Sequence, residues 1–237
     1  MNKKPSTKII IPKHVAIIMD GNNRWTKKHK FRGFKGHEKG IDAIQNAVDA
    51  AKLYKIKFLT LFSFSSENWS RPKKEVNFLM NLLRKYLSDK INDLIKDNIS
   101  IKMIGEKSRV PKDILIKIKK YEELTSKKKG LKLILALNYG SRKEITIAIK
   151  NLFSKSKKKN IRINEKTISA NLFTNNFPDP DLLIRTSGEK RLSNFLLWQL
   201  AYTELVFLKV LWPDFKKKHF VEALMQYSKR KRRYGSR

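Results

Sequence analysis

Apolar and polar positions alternate in blocks along this chain. Short runs in which nearly every residue is apolar, such as Val15–Met19 and Phe58–Phe62, predict strands that are buried on both faces. Longer segments between them carry apolar residues at helical spacing, as from Phe78 to Ile95. This alternation predicts an α/β domain with a mostly parallel central sheet of about six strands and flanking crossover helices. We expect strands near residues 15–19, 58–64, 100–104, 131–137, 182–186 and 204–207, and helices near 38–54, 74–97, 111–124, 141–153 and 190–202.

Three of the apolar runs end in polar segments that contain glycine, serine, asparagine and arginine. The first run leads into Asp20–Trp25, the second into Phe64–Pro72, and a third into Arg185–Glu189. The carboxyl ends of parallel strands meet at one edge of a sheet, which is where such sheets bind their ligands. The three segments therefore predict one polar rim that is assembled from distant parts of the sequence.

The segment after the first strand has the features of a phosphate site. Gly21 would let the backbone approach an anion closely, and Arg24 would add a guanidinium that binds two oxygens at once. A carboxylate beside phosphates repels them, so Asp20 is best explained by a Mg²⁺ ion that bridges the two. The alternative is a simple polar turn, because these residue types dominate turns for conformational reasons. Repetition of the pattern after two further strands favours a ligand site.

The composition fits one domain of ordinary size. The chain has 237 residues, of which 41% are hydrophobic, and this is enough for one substantial core. It contains no Pro/Gly/Ser-rich linker and no repeat, so we predict a single domain over residues 1–237, with a lead-in at 1–12 and a basic tail at 229–237. The absence of cysteine excludes disulfides and thiolate metal sites. No segment has the pattern of a signal peptide or a membrane span, which predicts a cytoplasmic protein.

The formal net charge of +33 makes a nucleic-acid partner the first hypothesis to test. The excess is mostly lysine scattered over every segment, a distribution that codon bias in an A/T-rich genome also produces. Aromatic residues lie mostly inside apolar runs and do not alternate with basic ones as stacking platforms do, so we predict no nucleic-acid partner. Attraction to anionic diphosphates and membranes is a second use for the charge, above all in the tail Lys229–Arg233.

Together these motifs resemble those of the cis-prenyltransferase family. The resemblance implies a Mg²⁺-dependent enzyme that condenses isopentenyl diphosphate units onto farnesyl diphosphate. The implied product is a long-chain polyprenyl diphosphate, with undecaprenyl diphosphate, the carrier-lipid precursor for cell-wall synthesis, as the first expectation. A hydrophobic tunnel, a homodimer, and a peripheral contact with the inner face of the membrane for product release are also implied. The resemblance includes His14–Trp25, Gly36–His37, Phe64–Pro72, Asn138–Gly140, Asp181–Glu189, Arg191–Gln199, Ala201–Leu205 and Leu211–Phe215.

The resemblance also implies roles for the polar residues. Asp20 and Asn68 would be catalytic, and Asp20 and Glu204 would bind the metal, with Glu204 acting across the dimer interface. The family usually has an arginine where this chain has Gly33, and Arg32, one position earlier, would substitute for it. An amide is a poor base, so Asn68 would position water or the diphosphate to accept the proton. The implied substrate-binding residues are Gly21, Asn22, Asn23, Arg24, Trp25, Arg32 and His37 for the allylic diphosphate, Ser65, Ser66, Glu67, Trp69 and Arg71 in a closing loop, and Arg185, Arg191, Leu192 and Ser193 for isopentenyl diphosphate.

Other interpretations of the sequence stay open. One is the same chemistry with a different product length, and another is a catalytically silent subunit or a basic nucleic-acid-binding protein. Trp69 could also be a packing residue, as aromatics usually are. Product length depends on the tunnel wall, where Ser63 leaves room, Leu137 would narrow the space and Leu131 resembles the residue at its far end. The chain lacks the Asp-Asp-x-x-Asp clusters of trans-prenyltransferases and the P-loop and Gly-x-Gly-x-x-Gly signatures of nucleotide sites, which argues against those classes.

Overall fold

Six parallel strands form one central sheet in the computed structural model, which describes residues 9–156 and 162–230. The order across the sheet is β3-β4-β2-β1-β5-β6, and every neighbouring pair is parallel. The chain is therefore a single α/β domain, as its sequence predicted. The strands are β1 His14–Ile18, β2 Phe58–Ser65, β3 Ser100–Ile104, β4 Lys132–Tyr139, β5 Leu182–Arg185 and β6 Glu204–Phe207.

Helices connect and cover the strands. The predicted helices near 38–54, 74–97, 111–124 and 141–153 are confirmed to within a few residues. Three helices were not predicted. Two of them, of seven and five residues, carry too little periodicity to be detected, and the third is the 12-residue helix Lys217–Ser228. The helices of the described ranges are α1 Asn22–Lys28, α2 Lys35–Leu53, α3 Lys73–Lys96, α4 Lys112–Leu124, α5 Ser141–Ser156, α6 Glu165–Ser169 and α7 Lys217–Ser228, with 3₁₀ turns at Ser66–Ser70 and Trp212–Asp214.

The strand order places the carboxyl ends of β1 and β5 side by side. The register pairs Ile18 at the end of β1 with Phe62 of β2 on one side and with Arg185 of β5 on the other. The chain leaves β1 toward β2 and later adds β5 on the opposite side of β1, so the connections diverge at this point. A crevice at such a switch point is the usual ligand site of an open parallel sheet. The polar segments after β1 and β5 are therefore neighbours, as the sequence predicted.

The two faces of the sheet are covered by different parts of the chain. On one face α2, α3, α4 and α7 pack side chains such as Ala47, Leu87 and Phe220 against the strands. On the other face Phe195 stacks on Phe62, with 4.3 Å between the ring centroids, within a second core cluster. The first face holds α3, which carries the helically spaced apolar residues from Phe78 to Ile95.

The predicted helix at 190–202 is wrong. That segment is a series of turns in which Ser193, Asn194 and Leu196 have φ angles of 51°, 59° and 47°. Residues in this left-handed region cannot continue a right-handed helix. The turn is held by α5, because the carbonyl of Asn194 accepts a hydrogen bond from the amide of Ser141 at 2.8 Å. The apolar residues of the segment are spaced for packing on the sheet, which imitates a helical pattern.

No helix within residues 9–156 and 162–230 is long and apolar enough to cross a membrane. Residues 1–8, 157–161 and 231–237 lie outside the described part of the chain, and most of the predicted lead-in and basic tail falls there. Lys229 and Arg230, which follow α7, are exposed.

Candidate active site

The chain turns sharply after β1, and we call residues Asp20–Arg24 the cradle. Gly21 has a φ of 113°, a conformation that side chains rarely adopt. A Cβ at this position would also lie 3.0 Å from Cδ2 of Leu211. α1 begins directly afterwards at Asn22, and no side chain caps its first turn. Glycine is therefore required here by the backbone and by Leu211, and the first amides of α1 are left without a capping side chain.

Asp20 lies between two arginines. Its Oδ2 accepts a hydrogen bond from Nη2 of Arg185 at 2.8 Å and lies 3.5 Å from Nη2 of Arg24. The hydroxyl of Thr186 accepts from the Asp20 amide at 2.9 Å and donates to the Asp20 carbonyl at 2.7 Å. Burial raises the pKa of Asp20, but hydrogen bonds from Arg185 and Ser187 and the nearby positive charges outweigh it. The pKa lies below its usual value, so Asp20 is an anion at neutral pH.

Arg185 ends β5 as a buried cation, with 3% of its side chain exposed. Its Nη1 donates to Oγ of Ser193 at 2.8 Å and to the carbonyl of Arg191, while its Nη2 holds Asp20. Its Nε is buried and has no hydrogen-bond partner among the described residues. Leaving a buried donor of a charged group unpaired is costly, so Nε of Arg185 is a donor that an ordered water or an anionic ligand reaching it would satisfy.

Two further arginines at the rim are accessible to solvent. Arg24 and Arg191 have 46% and 60% of their side chains exposed, and both form ion pairs with Glu189. Arg24 also donates to the carbonyl of Ser187 at 3.1 Å. Glu189 thus links the cradle to the turn after β5. Exposed ion pairs contribute little stability, so an incoming diphosphate can replace them at small cost.

His37 of α2 and Arg71, just before α3, complete the rim beside the cradle. Arg71 donates to Oε1 of Glu75 at 2.8 Å, and Nε2 of His37 lies 3.8 Å from the same oxygen. Burial and the Arg71 charge lower the pKa of His37 to about 4, against the opposing charge of Glu75. His37 is therefore neutral at pH 7, and its Nε2 lies 3.2 Å from Oδ1 of Asn23. Glu75 was not predicted, although its spacing of four residues from Arg71 was a signal for the pair.

The 3₁₀ turn Ser66–Ser70 carries the residues that were expected to close over the reacting carbons. Oδ1 of Asn68 accepts a hydrogen bond from the amide of Ser65 at 3.0 Å, so Asn68 caps its own turn. Oε1 of Glu67 accepts from Nδ2 of Asn194 at 2.6 Å, which docks the turn on the segment after β5. The residues Ser65, Ser66, Glu67, Asn68 and Trp69 therefore all lie in or beside this turn.

Trp69 connects the Ser66–Ser70 turn to neighbouring segments. Its Nε1 donates to Oδ1 of Asn138 at 2.7 Å, and its ring lies 4.8 Å from the ring of Phe64. The guanidinium of Arg109 lies over the indole, 4.9 Å from the ring centroid. These contacts agree with the packing role that the sequence left open for Trp69. Arg109 was not predicted, since no motif connects it to the turn.

Two adjoining cavities begin at the rim. One, of about 130 Å³, is lined by the cradle with His37 and Arg71. The other, of about 160 Å³, extends between α2, α3 and the strands β2 and β4, and its inner wall is apolar. We call the second one the inner cavity. The residues that line both cavities are Met19, Asn22, His37 and Arg71.

The inner cavity occupies the place of the expected tunnel. Ser63 and Leu137, two of the residues expected to influence product length, both line it. Leu131 is buried but does not line it. Asn68 lines the inner cavity near its polar mouth, while Ile44 lies among its apolar residues. The expected hydrophobic space is therefore present, but it is small.

Trp25, Arg32 and Leu192 have implied substrate roles but do not line either cavity. Arg32 is exposed to solvent between α1 and α2. Trp25 is 9% exposed and its Nε1 donates to Oδ1 of Asp214 at 2.8 Å, so it packs within the fold and lines neither cavity. Leu192 packs against the second core cluster.

Glu204, the second implied metal ligand, begins β6 at the amino end of the sheet, whereas Asp20 follows the carboxyl end of β1. Oε2 of Glu204 accepts from Nη1 of Arg230 at 2.7 Å. Within the described ranges, no group of three or more His, Cys, Asp or Glu side chains could hold a metal ion. Mg²⁺ usually takes one or two carboxylates and completes its shell with water and substrate phosphates. Asp20, the carboxylate of the cradle, fits that pattern.

Several known proteins are similar to this chain over nearly its whole length. The family model described as "Putative undecaprenyl diphosphate synthase" matches residues 18–235. An isoprenyl transferase of Thermotoga maritima is 47% identical over 226 residues, covering 95% of this chain and 97% of the relative. One from Bacillus subtilis is 46% identical over 228 residues, covering 95% of this chain and 88% of the relative.

Two solved structures are also similar to this chain. A lavandulyl diphosphate synthase from Lavandula x intermedia, in complex with dimethylallyl diphosphate, has a TM-score of 0.91 and 39% identity, covering 95% of this chain and 98% of that one. A "probable undecaprenyl diphosphate synthase" from Campylobacter jejuni has a TM-score of 0.80 and 34% identity, covering 94% and 98%. This chain belongs to the cis-prenyltransferase, or isoprenyl transferase, family.

Proposed function

We propose that this protein condenses isopentenyl diphosphate units onto farnesyl diphosphate and makes undecaprenyl diphosphate, a carrier-lipid precursor for cell-wall synthesis. The supporting observation is the continuity of the two cavities, because a charged cradle opens into an apolar space and Asn22, His37 and Arg71 line both. A prenyl diphosphate has the same division into an anionic head and an apolar tail. The reaction would take place in the cytoplasm, with release of the product at the inner face of the membrane.

In this proposal the allylic diphosphate binds in the cradle. The backbone and side-chain amides of Gly21–Asn23 donate to its oxygens, and Arg24 exchanges its exposed pair with Glu189 for a phosphate. His37 adds a neutral hydrogen-bonding group and Arg71 adds a positive charge. The apolar tail then lies in the inner cavity between α2 and α3.

The reaction breaks the C1–O bond of the allylic diphosphate and joins C1 to the terminal carbon of isopentenyl diphosphate, after which the new unit loses a proton. Negative charge develops on the leaving diphosphate, so donors already in place in the cradle lower the barrier. Oδ1 of Asn68 is engaged by the amide of Ser65, and an amide is a weak base. Asn68 therefore orients the reacting groups, and the departing diphosphate accepts the proton.

The diphosphate of isopentenyl diphosphate binds at the turn after β5. Arg185 is preorganised by Asp20 and Ser193 and keeps an unpaired Nε among the described residues. Arg191 is exposed and exchanges its pair with Glu189 for the second substrate. Arginine suits this task because its planar fork binds two phosphate oxygens.

Asp20 and the allylic diphosphate would hold one Mg²⁺, which neutralises charge on the leaving group. Glu204 lies at the opposite edge of the sheet from Asp20 of the same chain, so it can join this site only from a second copy. We therefore include in the proposal a homodimer in which Glu204 of the partner subunit serves the site.

Mixed dimers test this part. Asp20→Ala and Glu204→Ala chains are purified separately, dissociated and mixed. If Glu204 acts across the interface, each mixed dimer keeps one intact site and lost activity returns on mixing. No return on mixing, with dimer exchange verified by mass, would show that Glu204 does not act in trans.

The central experiment is incubation of the purified protein with farnesyl diphosphate, labelled isopentenyl diphosphate and Mg²⁺, followed by chromatographic sizing. We expect an undecaprenyl product and no product after chelation of Mg²⁺. A shorter or longer polyprenyl diphosphate would keep the chemistry and correct the length. Complete lack of label transfer would overturn the proposed function.

A further inference from the structure

Asn138 is an extra residue near the carboxyl end of β4. Its neighbours Leu137 and Tyr139 pair with Phe64 and Ser65 of β2, so Asn138 itself has no partner in that register. Its φ is 50°, in the left-handed region that asparagine adopts more readily than most residues. Bulges of this kind often occur beside active sites, where they redirect a side chain. The contacts of the Asn138 side chain therefore indicate what the bulge is for.

The Asn138 side chain joins two other segments and is buried, since the residue is only 3% exposed. Its Nδ2 donates to the carbonyl oxygens of Glu106 at 3.0 Å and Ser108 at 2.7 Å. Its Oδ1 accepts a hydrogen bond from Nε1 of Trp69 at 2.7 Å. This pattern fixes the orientation of the amide, because a reversed amide would place its oxygen against two carbonyl oxygens. Asn138 thus connects the loop after β3 to the Ser66–Ser70 turn.

Asn138 holds the Trp69 indole by two routes. The direct route is the hydrogen bond to Nε1. The indirect route is the loop after β3, because Asn138 fixes Ser108, and the guanidinium of the next residue, Arg109, lies 4.9 Å from the centroid of the indole. Loss of the Asn138 side chain would therefore release both the Nε1 end of the indole and the cation that covers it.

The Ser66–Ser70 turn and the residue after it present Asn68 and Arg71 to the ligand space. Both side chains line the inner cavity, and Arg71 also lines the cavity at the cradle. Asn68 directly precedes Trp69, and Arg71 follows it by two residues, so a shift of the indole moves both. A misplacement of about 1 Å in an active site can slow a reaction by ~10²-fold. The reaction rate should therefore depend on the support of Trp69.

A second asparagine has a similar backbone conformation but lies far from the site. Asn98 has a φ of 57°, and its Oδ1 accepts a hydrogen bond from the amide of Lys129 at 3.2 Å. It is exposed, it precedes β3 at the amino end of the sheet, and it lines neither of the two cavities. Asn98 supports the connection between α3 and β3, whereas Asn138 supports a turn that lines the ligand space.

We propose that Asn138 is a positioning residue for the condensation reaction. It holds Trp69, and through Trp69 it holds Asn68 and Arg71 at the mouth of the inner cavity. This inference rests on the proposed function and names a residue that acts on the reacting groups only through a neighbour. Arg185, at the second diphosphate site, is held separately by its own contacts. Binding of isopentenyl diphosphate should therefore be independent of Asn138.

Three variants test the inference. Asn138→Gly removes the side chain and keeps a residue that adopts a positive φ. Trp69→Phe keeps an aromatic ring and removes the Nε1 donor. Asn98→Gly is the matched control, because it makes the same change in a similar backbone conformation. A single turnover of labelled isopentenyl diphosphate with farnesyl diphosphate measures the reaction without product release, steady-state kinetics give the KM, and urea unfolding measures stability.

We expect Asn138→Gly and Trp69→Phe each to slow the single turnover by ~10–100-fold at saturating substrates and to leave the KM for isopentenyl diphosphate unchanged. The double variant should be no slower than the slower single variant, because both changes remove the same support. Asn98→Gly should lower stability and leave the rate unchanged. If the effects of the two single variants were additive, Asn138 would not act through Trp69 and the inference would be wrong.

The indole N–H signal of Trp69 gives a readout that does not depend on activity. The chain has four tryptophans, so ¹⁵N-labelled protein gives four indole signals, and the signal absent from Trp69→Phe belongs to Trp69. Loss of the acceptor in Asn138→Gly should move this signal upfield, while Asn98→Gly should leave it in place. An unmoved signal in folded Asn138→Gly would overturn the inference.

The outcomes distinguish this inference from the proposed function. If the unsubstituted protein transfers no label, the proposed function fails and the inference fails with it. If that protein is active and folded Asn138→Gly reacts at the normal single-turnover rate, the inference is wrong and the proposed function stands. Should Asn138→Gly not fold, Trp69→Phe decides alone, and a normal rate in that variant would contradict the inference.

Discussion

The two ends of the central sheet carry similar side chains in different states. At the amino end, His14 donates from Nδ1 to the carbonyl of Pro178 at 2.7 Å, and its Nε2 lies 2.8 Å from the hydroxyl of Thr60. Glu204, at the same end, is paired with Arg230. The polar groups there are satisfied within the fold.

At the carboxyl end the pairing is incomplete. Arg24 and Arg191 are about half exposed and share one carboxylate, Glu189. Nε of Arg185 and Oδ1 of Asn22 are buried without a partner among the described residues. Buried polar atoms are rarely left in this state unless a ligand, an ion or an ordered water completes them. Oε1 of Gln199 is also buried without a partner among the described residues, so unused hydrogen-bonding capacity supports the assignment of a site only together with the exposed arginines beside it.

The largest effect should follow from loss of Asp20. We expect Asp20→Ala to lower turnover by ~10²–10³-fold, as when one preorganised stabiliser of developing charge is removed. Asp20→Asn, which keeps the size and removes the charge, should lose a similar factor. Steady-state kinetics at saturating Mg²⁺ and circular dichroism measure activity and fold. Near-normal turnover in either folded variant would show that the carboxyl end of the sheet does not carry the chemistry.

The amino end should instead determine part of the pH dependence of stability. Burial lowers the pKa of His14 to about 4 from 6.5, against the Pro178 hydrogen bond and the charge of Asp181. The unfolded chain then binds more protons between these pH values, so stability is complete above pH 6.5 and is lost as pH falls toward 4. The loss is on the order of 3 kcal/mol.

Urea unfolding at pH 7 and pH 4.5 measures this loss, with His14→Gln as the test variant. The variant should show a shallower pH dependence and a normal KM for both substrates. His37, whose pKa is also lowered to about 4 by burial, titrates in the same window at the other end of the sheet. His37→Gln should share the shallower pH dependence but raise the KM for farnesyl diphosphate. An unchanged pH dependence in His14→Gln would contradict the prediction.

Arg185 at the end of β5 and Arg191 in the turn after it should respond differently. Arg191→Ala should raise the KM for isopentenyl diphosphate ~10–100-fold, since a hydrogen bond to a charged group contributes ~1.5–3 kcal/mol. It should spare farnesyl diphosphate binding and stability, because Arg191 is 60% exposed. Arg185→Ala should also lower stability, because it leaves Asp20 and Ser193 without their donor. Calorimetry measures the binding of each substrate, and denaturation measures stability. Weaker binding of the allylic substrate by Arg191→Ala would mean that the two diphosphate sites are reversed.

The smallest effect concerns the support of the Ser66–Ser70 turn. Arg109→Ala removes the cation over the Trp69 ring and should lower stability by ~0.5–1 kcal/mol. Lys107→Ala, an exposed neighbour in the same loop, is the matched control and should have no effect. Thermal or urea denaturation measures both variants. Equal values for the two would show that the ring contact does not stabilise the turn.

Much of the fold could be predicted from the sequence. All six strands were located to within a few residues. A strand that is buried on both faces has a nearly continuous apolar sequence, which is easy to find. The helix predicted at 190–202 was wrong, because apolar residues that pack on a sheet can imitate helical spacing when Ser193 and Asn194 adopt left-handed conformations. α1 and α6 were too short to be detected, and α7, with 12 residues, was also not among the predicted helices.

Some residues of the candidate site could be predicted from the sequence and others could not. Asp20, Arg24 and Arg185 were placed correctly at one rim, because each follows or ends a parallel strand. Glu75 was missed although it lies four residues after its partner Arg71, and Arg109 was missed because its contact with Trp69 is defined by packing between segments and not by a motif. The sequence also could not indicate that the cradle and the apolar space share residues, because that depends on how α2 and α3 lie across the sheet.

The sequence by itself determined the family, the parallel sheet and the identity of most rim residues, because apolar runs and strand-end motifs are local properties of the chain. Tertiary structure alone decided the strand order, which brings Asp20 to Arg185 and sends Glu204 to the opposite edge. It also decided which polar atoms keep a partner and where α2 and α3 leave the inner cavity. These properties arise from contacts between residues distant in the sequence, as between Asp20 and Arg185, which are 165 positions apart, and such contacts leave no periodic or local signal in the sequence.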